Sequence, residues 1–277
     1  MDLQLLTIMT NRFLLALTIL AFTATPALSQ ERSTSRDFQW AGRIPPGRWI
    51  YVRNLNGEIR VEPATGDRVE VTAIKTWRRG DPADVRIEVK KYGPGDQDVL
   101  ICALWSENAE CDESGYHSHN SGRNRRDNDV SVEFRVRVPR GVKIGAGSVN
   151  GSVTVEGATS QVEASSVNGS VEATSSGGPV EASTVNGSVF ARMGRLTGTE
   201  DLNYSSVNGS VQVEFEGELT DADIEMSTVN GRFETNFPIT VQGRLNPRQL
   251  RTRIGNGGRR IKLTTVNGNV ELRRRGG

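Results

Sequence analysis

Cys102, Cys111, His117 and His119 fall within eighteen residues of one another, with Asp112 among them. Thiols, imidazoles and a carboxylate this close admit two chemistries. One is a disulfide closing a short loop, the default for a cysteine pair in an oxidising compartment. The other is a metal patch of Asp112, His117 and His119. Its spacing matches no standard metal site, and the Ser, Gly and Asn residues around it read as loop. The expectation is therefore a Cys102–Cys111 disulfide, with no metal and no cofactor.

Other residues invite weaker chemical readings. Arg79-Gly80-Asp81 is a tripeptide that some animal cell-surface receptors read, but ordinary turn chemistry accounts for it equally well. Asp127-Asn128-Asp129 is one isolated acidic cluster, whereas calcium-binding solenoids repeat a Gly-Gly-x-Gly-x-Asp unit that is absent here. Asn150, Asn168, Asn186 and Asn208 each head an Asn-Gly-Ser triplet, formally a glycosylation acceptor. Glu163, Glu172 and Glu181 are expected to point outward singly along strands, as solvated groups. No Ser-His-Asp grouping, P-loop or dinucleotide-binding turn follows a suitable strand. The chain is read as non-enzymatic.

The elements that position these residues announce themselves as a repeat. Seven copies of a turn stand out: Asn54-Leu55-Asn56-Gly57, then [Ser/Thr]-Val-Asn-Gly ending on Gly151, Gly169, Gly187, Gly209, Gly231 and Gly268. Successive asparagines from Asn150 to Asn267 lie 18, 18, 22, 22 and 37 residues apart. On both sides of every turn alternate residues are apolar or small, as in Val162, Ala164 before and Val171, Ala173 after. Period-two alternation marks a strand with one buried face. Each unit therefore reads strand, Asn-Gly, strand. Asn and Gly both tolerate positive φ, which predicts a reversal there at little steric cost. A meander of type I′ hairpins would satisfy this pattern. Near-identical turns at near-constant spacing favour a solenoid, whose corners stack Asn56, Asn150, Asn168, Asn186, Asn208, Asn230 and Asn267 into one ladder.

The fold class is thus all-β: a β-solenoid of stacked strand–Asn-Gly–strand repeats, with a β-rich N-terminal cap region. Residues 1–29 read as a signal peptide, with Arg12 before the apolar run Phe13–Phe22 and small residues Ala27 and Ser29 before the cut. An N-terminal membrane anchor is the competing reading, but the run is shorter than the roughly 20 residues a span needs. Residues 30–140 form the β-rich N-terminal region with the disulfide loop, continuous with the repeats, and 141–277 the repeat domain. Within the former, Arg68–Trp77 and Ala83–Tyr92 are expected to pair as a hairpin. Within the latter, Arg251–Ile254 is expected to pair with Arg260–Leu263 and so fill the long last gap.

Charge is nearly balanced, with 34 Lys and Arg against 33 Asp and Glu, which argues against nucleic acid as a partner. It is unevenly placed. Residues 150–234 hold thirteen acidic and three basic side chains, and residues 244–275 ten basic and one acidic. Arg259, Arg260, Arg273, Arg274 and Arg275 are the candidate contacts for an anionic partner. Arg273–Arg275 would also blunt an exposed sheet edge.

The Ser-Val-Asn-Gly-Ser-Val and Thr-Val-Asn-Gly-Ser-Val cores, Leu55–Glu62, and the stretch from Ile254 to Gly268 resemble the bacterial putative adhesin domain family, β-strand-repeat domains of unknown function. The resemblance spans roughly residues 38–277. It implies an exported or surface-associated β-solenoid and brings no catalytic residues. The functional expectation is a cell-envelope or surface binding or scaffold protein, located in the periplasm or outside the cell and not transmembrane once the leader is cut. Its partner would be an envelope polymer, a lipid surface or a protein. Self-assembly through sheet edges and a glycan-processing β-helix enzyme are the alternatives.

Overall fold

A computed structural model describes residues 33–118, 128–194, 196, 199–217, 219–238 and 248–275. The leader read at 1–29, His119 and Asp127 lie outside them. In chain order the strands begin with β1 (Ser33–Gly42), β2 (Trp49–Asn56), β3 (Ile59–Pro63), β4 (Val69–Trp77), β5 (Arg86–Tyr92) and β6 (Asp98–Leu104). A short hairpin, β7 (Ala109–Cys111) and β8 (Tyr116–Ser118), precedes β9 (Ser131–Val138). The repeats follow as β10 (Lys143–Asn150), β11 (Val153–Ala158), β12 (Val162–Asn168), β13 (Val171–Ser175), β14 (Val180–Ser183) and β15 (Val189–Met193). The chain closes with β16 (Leu202–Ser205), β17 (Val211–Glu216), β18 (Ala222–Asn230), β19 (Phe233–Thr235), β20 (Gln249–Ile254), β21 (Arg260–Asn267) and β22 (Val270–Arg275).

Apart from β7 and β8, which pair only with each other, these strands form two ten-stranded sheets that face one another across a thin core. One sheet runs β1-β4-β9-β3-β11-β13-β15-β17-β22-β19, the other β20-β18-β21-β16-β14-β12-β10-β2-β6-β5. Each coil contributes one strand to each sheet, and equivalent strands pair in parallel, as in Val162↔Val180 and Val171↔Val189. The inward residues are the alternating set the sequence marks. Val162, Ala164, Val171, Ala173, Val180 and Ala182 are all buried. One Val side chain contributes at most roughly 1.5–3 kcal/mol, so stability depends on each coil covering the next.

The order of coils in space departs from the order in sequence at both ends. β2–β3 lies between the later coil β6–β9 and β10–β11. At the other end, β21–β22 lies between β16–β17 and β18–β19, so the last repeat in sequence is the next-to-last in space. Antiparallel strands finish the stack: β1 and β4 on one sheet, β5 on the other, and β20 beside β18.

Two strand pairings expected from sequence are corrected. β4 and β5 do not form a hairpin. Each pairs antiparallel within a different sheet, because both faces of the stack need an end strand. β20 does not pair with β21. It pairs with β18, Ala222 opposite Ile254, while β21 fills the parallel site on the other side of β18. Likewise Arg273–Arg275 are not on an edge strand, since β22 runs between β17 and β19. Past the short β19, Asn236 takes over, donating from Nδ2 to the Arg274 carbonyl at 2.9 Å and accepting the Arg274 N–H at 2.6 Å.

Candidate functional site: the corner ladder and the face beside it

Every residue of the [Ser/Thr]-Val-Asn-Gly turn has a distinct position at one margin of the stack. The Ser or Thr points inward, and its hydroxyl donates to the corner-glycine carbonyl of the neighbouring coil. Ser166 reaches Gly151 at 2.8 Å, Thr184 reaches Gly169 at 2.7 Å, and Thr265 reaches Gly209 at 2.7 Å. The asparagines stack as a ladder of amides. Asn168 donates to Asn150, Asn186 to Asn168, Asn208 to Asn186 and Asn267 to Asn208, each at 2.8 Å, and Asn230 to Asn267 at 2.7 Å. The ladder follows spatial order, so Asn267 precedes Asn230.

Positive φ, expected of both corner residues, is found at glycine and not at asparagine. No corner asparagine has positive φ; among the described residues Asp96 is the single non-glycine that does. Four corner glycines, Gly57, Gly187, Gly209 and Gly268, do have positive φ, from +119° to +159°, and close approach is a second reason for glycine. A Cβ on Gly187 would lie 2.3 Å from the carbonyl oxygen of Gly169, and one on Gly209 would lie 1.9 Å from that of Gly187. The first copy is adapted to a different neighbour. The coil below it, β6–β9, has no Asn-Gly corner, and Asn54 replaces the hydroxyl residue. Its amide reaches Val132 and Gly57 carbonyls at 2.8 and 3.0 Å, and Asn56 reaches Val130 at 2.9 Å.

The valine serves the corner through its carbonyl, which accepts the asparagine N–H of the next coil, as Val167 does from Asn186 at 2.8 Å, and leaves its side chain unused. Val167, Val185, Val207, Val266 and Val229 are 38–49% exposed and stand in register along the outer face of the second sheet. Two residues earlier on each of these strands, a second outward row holds Ser165, Ser183, Ser205, Thr264 and Ser227. The result is a [Ser/Thr]-x-Val array on five adjacent strands, uncharged and made of short side chains. Alternation carried through the turn predicts this row, but the turn reading drew attention to Asn-Gly instead.

At the N-terminal end of that face the segment 105–118 rises above the sheet. Cys102 and Cys111 are joined in a disulfide, and Leu100, Leu104, Ala109 and Tyr51 pack with them in a small second core. Arg53 runs beneath, donating from Nε to the Asp112 carbonyl at 3.3 Å and from its terminal nitrogen to that of Glu113. Gly145 and Gly147 on β10 leave room for this. A Cβ on Gly145 would fall 2.0 Å from the Tyr51 ring. Replacing both cysteines by Ser is expected to cost about 2–3 kcal/mol on the chain-entropy model, read by denaturant unfolding.

Asp112 is turned to the loop itself. The Ser114 hydroxyl, His117 and the N–H groups of Ser114 and Gly115 hold its carboxyl well below the usual range. Asp129 of the acidic cluster fixes the Arg79-Gly80-Asp81 loop, accepting the Gly80 N–H at 2.8 Å. Asp81 caps the short helical turn Pro82–Asp84 through the Ala83 N–H at 2.8 Å.

The outward glutamates are arranged differently from expectation. Glu172 lies on the opposite sheet, but Glu163 and Glu181 are register partners on adjacent strands. Burial raises the affinity of both for protons, and the Glu163 charge adds to the effect at Glu181, while Arg53 and Lys143 oppose it at Glu163. A carboxyl whose folded pKa is raised destabilises the fold when ionised. That cost is absent below the unfolded value of about 4.3 and grows as pH rises through the folded pKa. Glu181→Gln is therefore expected to raise Tm by about 1–2 °C at pH 7 and by nothing below about pH 4, a difference that thermal melts at the two pH values will show.

The C-terminal arginines occupy the two ends of one coil. Arg259 and Arg260 stand at the start of β21, and Arg273–Arg275 at the end of β22. Both groups therefore lie at the margin opposite the asparagine ladder. Acidic neighbours flank this coil on both sides. The Arg260 N–H donates to Asp201 at 3.0 Å, Arg273 pairs with Glu234 at 3.9 Å and with Glu271, and Arg275 is the register partner of Glu216. The uneven charge of the sequence becomes local pairing once the last repeat is inserted between acidic coils.

No curated protein matches the chain. Among solved structures, a putative cell adhesion protein from Clostridium sporogenes aligns at 9% identity and a TM-score of 0.46, covering 86% of this chain and 99% of that one. A putative adhesin from Bacteroides fragilis aligns at 11% identity and 0.31, covering 89% and 98%. One from Parabacteroides distasonis aligns at 12% and 0.32, covering 88% and 98%. The sequence model of the Toastrack DUF4097 family matches residues 49–273, from the first strand of the first corner to the last coil. With that match covering most of its length and every Asn-Gly corner, the chain belongs to the Toastrack DUF4097 family.

Proposed function

We propose that the protein is an exported cell-envelope or surface protein that binds or scaffolds through its repetitive β surface and does so without catalysis. The observation that carries this reading is the in-register, uncharged [Ser/Thr]-x-Val array, solvent-exposed and rigidly spaced, which no structural role within the stack requires. The disulfide supports an oxidising destination. Among the described residues no helix is long and apolar enough to cross a membrane. Adhesion, the term applied to the distant structural neighbours, is one form that such binding takes.

Cell fractionation with surface protease tests it. The expected result is a chain with its disulfide formed in the periplasmic or surface fraction. Retention in the cytoplasm with reduced cysteines overturns the proposal. The adjacency of Glu163 and Glu181 makes a glycan-cleaving reading specific enough to test beside it. Turnover in a glycan hydrolysis screen that disappears in Glu181→Gln would replace the binding reading with an enzymatic one.

A further inference from the structure

Asn-Gly is a chemically labile pair as well as a corner. A glycine nitrogen has no side chain beside it to hinder attack on the side-chain carbon of the preceding asparagine. Eight such pairs occur in the chain: the seven corners and Asn256-Gly257. What protects each one is the bond its glycine N–H already makes. Six corner glycines donate that N–H to the asparagine carbonyl of the next coil, as Gly57 does to Asn150 at 2.8 Å, Gly187 to Asn208 at 3.0 Å and Gly268 to Asn230 at 3.0 Å. Gly257 donates to Ile254 at 3.1 Å. Gly231 is the exception. It turns the corner of the outermost coil, and its N–H has no partner among the described residues. β20 covers β18 as far as Thr228, whose N–H reaches the Arg248 carbonyl at 3.1 Å, and stops short of the corner.

The amide side has the same asymmetry. An interior asparagine such as Asn186 is held twice, donating to Asn168 and accepting from Asn208. Asn230 donates to Asn267 at 2.7 Å, and among the described residues nothing donates to it in return. Gly231 is exposed, whereas the other six corner glycines are half-buried. We propose that Asn230-Gly231 is a self-modification site, at which the chain deamidates without an enzyme while the stack protects its other Asn-Gly pairs.

The Gly231 nitrogen attacks Asn230 Cγ. A bond forms between them, the Cγ–Nδ2 bond breaks, and the Gly231 proton leaves with Nδ2 as ammonia. Water then opens the succinimide ring, at Cγ to give aspartate or at the main-chain carbonyl carbon to give an isoaspartyl link. No electrons are transferred, and water is the one co-reactant. Aspartate cannot donate to Asn267 Oδ1, so two acceptors face one another where a hydrogen bond had been. The isoaspartyl link lengthens the main chain by a methylene just before β19, whose pairing with β22 begins at Phe233 and Val270. Either product loosens the outermost coil and leaves the inner ones as they were. The chain thus carries a clock at one end of its stack.

Peptide mapping by mass spectrometry, on the purified full chain held for days at mildly alkaline pH, tests the inference. Conversion of amide to acid, with isoaspartate detected by enzymatic methylation, should be about tenfold or more faster at Asn230 than at Asn168, Asn186, Asn208 or Asn256, because each of those must first break a backbone hydrogen bond. In guanidinium chloride the rates should converge, since the protection belongs to the fold. Equal rates in the folded chain overturn the proposal. So does a lead for Asn230 that persists undiminished in guanidinium chloride, which would assign it to the nearby Arg232 and not to the missing coil. Asn230→Asp, the product made directly, should speed hydrogen exchange at residues 222–235 and leave residues 162–193 unchanged. Unaltered exchange at 222–235 overturns the loosening.

Discussion

A chain ending at Gly258 will lose ordered structure from Ala222 onward, a length well beyond the segment removed. β18 touches the rest of the second sheet through β21, and β19 touches the first sheet through β22. β20 in turn pairs with β18. Deleting Arg259–Gly277 therefore removes one coil, detaches the outermost coil, and leaves β16 and β17 as bare parallel edges. Ile261, Leu263, Val270 and Leu272 leave with the deletion, and Ile224 and Met226 lose the strand that covers them. In a stack whose stability resides in neighbour contacts, Tm should fall by roughly 10 °C or more. Hydrogen exchange resolved by segment decides the matter. Residues 222–235 should exchange freely, and continued protection there would show that the outer coil stands without its inserted neighbour.

Gly187→Ala should be far more damaging than a methyl lost or gained elsewhere in its own turn. The added carbon would sit 2.3 Å from the Gly169 carbonyl oxygen, on backbone that cannot rotate away. That carbonyl also accepts the Thr184 hydroxyl at 2.7 Å, so relief requires two coils to part and breaks the bond that ties them. Overpacking of this kind in a rigid ladder is expected to cost about 3 kcal/mol or more. The flanking positions set the scale. Thr184→Val removes one hydroxyl bond and should cost about 1–2 kcal/mol. Val185→Ala, at an exposed site, should stay within about 0.5 kcal/mol. Urea unfolding of the three variants will order them. An alanine at 187 as benign as the alanine at 185 would mean that the coils are not held at the spacing described.

The local half of the fold was legible in the sequence, because alternation and corners are properties of neighbouring residues. Val162, Ala164, Val171 and Ala173 are inward as read, Cys102 and Cys111 are paired, and the seven asparagines meet at one margin. The pairing of strands across the stack was less legible. Parallel coils are matched by register over long separations, and nothing next to Gln249–Ile254 says that its partner is Ala222–Ser227 instead of the strand that follows. The exchange of order at both ends has the same origin. The second reason for glycine was not legible because conformational freedom is visible in one residue, whereas close approach depends on the coil below. The adjacency of Glu163 and Glu181 was lost for the same reason. They lie 18 residues apart in sequence and side by side in the sheet.

The inversion of coil order at the two ends has a consequence for how such a protein can change in length over generations. Tandem duplication of an 18-residue unit within the Asn150–Asn186 stretch would add one coil between coils already in sequential order, leaving both closures untouched. A duplication at either terminus would have to thread between two coils already in contact. Kin of this chain should therefore differ in copy number in the middle and keep their first and last units constant, so that the ends record descent and the middle records growth.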